Sequence, residues 1–197
     1  SNTYTSTGTY TDVLTAANGC DSTVTTNLTV LAQFTVSTTS VGSATVCSGA
    51  SATLSMTGFV SSSNTYQGSD ASGAISGATS STNITSTAGS YSLTVTNTDG
   101  CVATSNAVAV TVLTVSTPVS LTTSSIQLDR ATMNWASVTN ANHYDVRMRV
   151  QGTATWQVLY VTATSLTKYG LSSSTTYEWQ VRSACSSDSS SVSAWSS

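Results

Sequence analysis

Side chains that do acid–base or nucleophilic chemistry are scarce in this chain. It holds one His, His143, and one Glu, Glu178. General acid–base work draws on His, Asp or Glu held close together in a cleft. Here His143 stands just before an expected strand, beside Tyr144, and Glu178 points away from the core next to Tyr177. Ser is so abundant that one lying near either carries no information. There is no Gly-x-Ser-x-Gly elbow and no Gly-rich phosphate loop. His143 therefore reads as a surface or loop residue, and the chain as non-catalytic. Calcium loops cluster oxygen ligands, whereas Asp12, Asp21, Asp70, Asp99 and Asp188 are scattered. No Cys-x-x-Cys or Cys/His spacing points to zinc. No metal and no cofactor is expected.

Arginine and tryptophan offer more. Arg147, Arg149 and Arg182 alternate with Val146, Met148 and Val181, so they share the outward face of neighbouring strands, with Trp156 and Trp195 beside them. Guanidinium groups stacked on indoles would form a ladder worth about 0.5–2 kcal/mol per contact. It would either clamp the last strand or present an aromatic–Arg surface to a glycan or partner. The ladder requires Trp195 within ~6 Å of at least one of the three guanidiniums.

The elements holding these groups are strands. Only 7% of residues are charged, against ~25% in ordinary soluble proteins. No run approaches the ~18 apolar residues of a spanning helix. Solvation falls to Ser and Thr hydroxyls, and Thr, Val and Tyr favour pleated strands. The net charge of −3 and the absence of a basic run exclude nucleic acid as a partner. Neither an initiator Met nor a signal-peptide pattern is visible, so the sequence reads as a mature or internal segment.

An internal repeat sets the organisation. Gly8, Tyr10, Gly19 and Cys20 return as Gly89, Tyr91, Gly100 and Cys101, each 81 positions on (101 − 20). A period of domain size implies tandem modules. Asn18-Gly19, flanked by alternating residues, predicts a hairpin over residues 1–31. A lone hairpin is marginal in water. More of its module lies upstream, or a neighbour's strands complete it. Residues 32–114 read as a whole β-sandwich: an opening strand at Phe34, Val36 and Val41, another at Ala52–Met56, then Tyr91, Leu93 and Val95 on one face and Val108, Val110 and Val112 on the return strand.

The pattern Val46-Cys47-Ser48-Gly49, Gly89-Ser90-Tyr91, Asp99-Gly100-Cys101 resembles the Ig-like, PKD-like repeats of bacterial surface proteins, common in adhesins and filaments exported by type IX secretion. Tyr66-Gln67 is followed by Gly68 where that family usually has Trp, which implies a smaller core or one filled by Phe59 and Tyr66. Residues 115–197 begin near Pro118, which suits a linker or an edge-strand start. Trp135, Tyr144, Leu171 and Tyr177, with the Ser193-Ala194-Trp195-Ser196 ending, resemble a fibronectin type III domain and its tyrosine corner.

These resemblances imply an all-β chain of tandem sandwiches, Ig-like then fibronectin type III, after a partial repeat. They imply a non-catalytic structural or adhesive segment of a long secreted cell-surface protein or extracellular filament. The alternative is a spacer or carbohydrate-binding module of a secreted hydrolase. Expected partners are neighbouring repeats, other copies in a filament, or a glycan or surface ligand, with no membrane insertion. In an extracellular module Cys47 and Cys101 would pair. Cys20, equivalent to Cys101, would have its mate upstream, and Cys185 shows no evident mate. Asp21-Ser22-Thr23 resembles an O-glycosylation acceptor of such bacteria, with Ser22 as the modified residue.

Overall fold

In a computed structural model of the chain, residues 2–31, 34–41, 44–58 and 60–197 are described. Ala32, at an expected module boundary, and Phe59, an expected core filler, lie outside them. Every regular element among the described residues is a β-strand, as a chain rich in Thr and Val and poor in helix formers dictates. The chain divides into two compact units, Ser1–Thr35 and Val36–Ser197.

The first unit is the expected hairpin. β1 (Gly8–Leu14) and β2 (Ser22–Leu28) pair antiparallel, from Gly8 opposite Leu28 to Leu14 opposite Ser22. Gly19 donates its N–H to Ala16 at 2.9 Å and takes a φ of 79°, a conformation open to a residue without a Cβ. The Tyr4 ring stacks on Tyr10 at 3.9 Å. Its hydroxyl donates to Asp12, which holds that carboxyl below its usual range and raises the Tyr4 phenol. Val13, Leu14 and Val24 stay exposed, so this hairpin gains little from burial.

The second unit opens with β3 (Val36–Val41), β4 (Thr45–Cys47), β5 (Ala52–Gly58), β6 (Thr65–Asp70), β7 (Gly73–Ala74), β8 (Thr82–Thr85), β9 (Gly89–Thr96), β10 (Val102–Thr104) and β11 (Val108–Leu113). One sheet runs β3-β5-β8; the other runs β4-β11-β9-β6-β7, with β10 also on β9. Ala52 and Leu54 of β5 pack on Tyr91 of β9 and Val110 of β11. Tyr91, Leu93 and Val95 form a buried row, which is the period-two pattern converted into burial. The two sheets are also joined by polar groups: Thr38 donates its hydroxyl to Ser105 at 2.6 Å. Gly68 is tight for a structural reason. A Cβ there would meet the Ala78 Cβ at 2.8 Å, because Gly68 donates its N–H to the Ala78 carbonyl at 2.7 Å. A returning loop occupies the space a larger side chain would need, and Tyr66 is half-buried with its hydroxyl turned to Ser61.

The remaining strands are β12 (Thr122–Ser124), β13 (Arg130–Asn134), β14 (His143–Val150), β15 (Gln157–Val161), β16 (Ser165–Tyr169) and β17 (Tyr177–Ala184). Sheet β12-β13-β16 faces sheet β15-β14-β17. Met133 and Trp135 pack there on Tyr144, Val146, Met148 and Val181. The Tyr177 hydroxyl accepts the Ser172 N–H at 3.0 Å, closing the tyrosine corner. Pro118 is fully buried. Its stretch is fastened to this sandwich: Ser183 donates its hydroxyl to the Ser116 carbonyl at 2.6 Å, and Ala136 its N–H to Val119 at 2.9 Å.

Candidate functional site

Register brings the charged groups together. Asp145 lies opposite Arg182, Arg147 opposite Gln180, and Arg149 opposite Glu178 on β14 and β17. Their alternation with core residues turns all six outward. Two indoles enter between the guanidiniums, Trp195 from the C-terminal segment and Trp156 from the turn before β15. Trp195 lies 4.3 Å from the Arg147 guanidinium carbon and 4.6 Å from that of Arg182. Trp156 lies 4.5 Å from Arg147 and 4.2 Å from Arg149. The column reads Arg182, Trp195, Arg147, Trp156, Arg149. Each guanidinium offers its faces to rings and its edge to an acceptor, a division only a planar cation permits. Arg182 bonds Asp145 at 3.0 Å, Arg147 bonds Gln180 at 2.8 Å, and Arg149 bonds Glu178 at 2.6 Å.

The C-terminal segment is fastened by more than stacking. Ser196 donates its N–H to Val181 at 2.9 Å, and its hydroxyl accepts the Val181 N–H at 3.0 Å. Ser193 repeats this with Ser183, at 2.9 and 3.1 Å. Two hydroxyls thus stand in for carbonyls of a strand ladder. Beside the column, Arg149, Trp156, Lys168 and Tyr177 line an open groove of about 370 Å³.

His143 requires a correction: it is neither a surface nor a loop residue but opens β14 wholly buried. Tyr160 stacks on its imidazole at 4.2 Å, and the segment after β17 closes over it. Nε2 lies 2.8 Å from the Ser189 hydroxyl and 3.4 Å from Asp145. A nucleophile–His–Asp relay needs the carboxylate on the other ring nitrogen, yet Nδ1 faces Asn142 at 3.3 Å. The cluster holds the loop in place. Asp145 is the residue the sequence reading missed. Its signal was present, since His143, Asp145, Arg147 and Arg149 sit at every second position of one strand.

The cysteines require a second correction. Cys47 does not pair with Cys101; it is bonded to Cys185, 138 residues away. Cys101 and the exposed Cys20 are free. The reason is strand order. β4 runs parallel to β11, placing Cys47 beside Leu113 at the end of β11. Cys101 follows the far end of β9, which is antiparallel to β11. That distance is roughly 30 Å along the sheet, and a disulfide spans at most ~7 Å between Cα atoms. Cys185 follows β17 in the neighbouring sandwich, so the bridge ties the two together. Ser22 opens β2 and is exposed.

No protein-family model and no curated protein sequence matches the chain. Among solved structures, a segment of titin comprising domains A168–A170 is 14% identical over 91% of this chain and 68% of that one, with a TM-score of 0.55. A two-domain fibronectin type III segment of chicken tenascin is 15% identical over 74% of this chain and 89% of that one, with a TM-score of 0.41. The titin likeness shows a β-sandwich fold, and at this identity the fold alone.

Proposed function

We propose that the chain is a non-catalytic structural and adhesive segment of a long, secreted, multi-domain surface protein or filament, exported by a type IX-like route. The Cys47–Cys185 bridge carries this reading. Under tension applied at the chain ends, force entering at Cys47 crosses the bridge to Cys185 and bypasses the 138-residue separation that contains most of both sandwiches. The stretch beyond Cys185 must then bear the force, and it is the stretch clamped by Trp195, Ser193 and Ser196. The buried His143 and Asp145, bonded to the half-buried Ser189, support the same view, since they secure the loop next to Cys185. A disulfide of this kind suits an oxidising, extracellular setting. Negative-stain microscopy of the native protein, with surface labelling of intact cells, tests it. Beaded or filamentous surface material is expected; an intracellular protein with Cys47 and Cys185 reduced would overturn it.

A second reading has one observation in its favour. The groove lined by Arg149, Trp156 and Lys168 combines an indole with cations, a surface suited to a glycan on a carbohydrate-binding module or hydrolase spacer. Glycan binding abolished by Trp156→Ala, with the fold intact, would support it.

A further inference from the structure

We infer that β15 is a strand-pairing edge for a second copy of this chain, which gives the assembly part of the reading above a specific surface. The other edges of this sandwich are protected. The Ser193–Ser196 stretch covers β17. β16 carries Lys168, the only Lys in the sequence, and β12 is three residues long. Lysines, short strands and covering segments are the ordinary defences of sheet edges. β15, with the sequence Gln-Val-Leu-Tyr-Val, has none of them. Val158 is 55% and Tyr160 58% exposed.

The direction of the main chain follows from neighbouring bonds. Val181, opposite Val146, exchanges its N–H and C=O with Ser196 on its far side. Val146 must therefore bond β15 rather than β17, through Leu159. Ser183, opposite Tyr144, turns to Ser193 in the same way. By alternation, Gln157, Leu159 and Val161 bond β14, while the N–H and C=O groups of Val158 and Tyr160 face the open edge. No hydrogen bond from that edge to another described element is present.

A two-fold axis beside Leu159 makes the edge complementary to itself. Val158 of one copy then meets Tyr160 of the other in a closely bonded pair, twice, and β-branched residues pair well with aromatics across strands. The charges behind them are also compatible. Arg147 flanks Val158 and Asp145 flanks Tyr160, so the axis sets opposite signs toward each other. Two five-residue strands bury less than a standard interface, which makes the contact weak between free chains and effective between arrays that repeat it.

Sedimentation velocity of the full oxidised chain over a concentration series tests this. The parent is expected to show concentration-dependent dimers. Val158→Pro removes an edge N–H that β14 does not use, and Val158→Lys installs a guard; both are expected to stay monomeric with unchanged circular dichroism. If Val158→Pro fails to fold, Val158→Lys decides alone. A parent that remains monomeric to its solubility limit overturns the inference. So does undiminished association of the variants, which would place the contact elsewhere, for instance on β1. Either failure leaves the surface-array reading to be judged by microscopy.

Discussion

Arg147 is the residue on which the outer face depends most, because it stacks on both Trp156 and Trp195. Arg147→Ala is expected to destabilise by about 1–4 kcal/mol, two contacts' worth, measured by urea unfolding. Arg147→Lys should recover little, since an ammonium has no flat faces to stack; full recovery would contradict the column. Asp188 gives a second test. Hydrogen bonding from the Ser190 hydroxyl and backbone N–H, with help from Ser186, lowers its carboxyl from 3.8 to about 2. A depressed carboxylate contributes stability above its unfolded value and loses it on acidification. Loop order should therefore fade between pH 3.8 and about 2. The carboxyl carbon is expected to titrate near 2 and to move up in Ser190→Ala; a midpoint of 3.8 in the parent would refute these contacts. The Arg–Trp spacing was legible in the sequence because alternation on a strand fixes a face. The burial of His143 was not, because Tyr160 and Ser189 reach it from distant elements.

Single elements followed the sequence closely wherever alternation was regular. The rows at Tyr91–Val95 and Tyr144–Met148 and the turn at Gly19 are all decided locally, by pleat period and turn chemistry. Gly68 was a visible anomaly whose cause lay elsewhere in the chain, in the loop that brings Ala78 against it. Gly68→Ala is expected to destabilise by about 1–3 kcal/mol, as overpacking does, with the loss read from thermal melting. An unchanged midpoint would show that the loop yields easily. Cysteine pairing was the element-scale failure. Which end of a sheet a strand reaches depends on strand order, and no local pattern encodes that β4 lies parallel to β11.

At the scale of the whole molecule, the repeat announced tandem modules, but not that Val36–Ser197 would be one compact unit with its sandwiches bridged. Closing a separation of 138 residues is worth ~5 kcal/mol in the chain-entropy model, and it also fixes the path that force takes. Single-molecule extension of the full chain from its two ends, before and after reduction, measures that path. With Cys47 bonded to Cys185, reduction should add about 480 Å of contour length, from 138 residues at ~3.5 Å each. A gain near 190 Å would mean that Cys47 is bonded to Cys101 after all, as ~54 residues would release. No gain would mean that no bridge shields the sandwiches, and the mechanical account would fail.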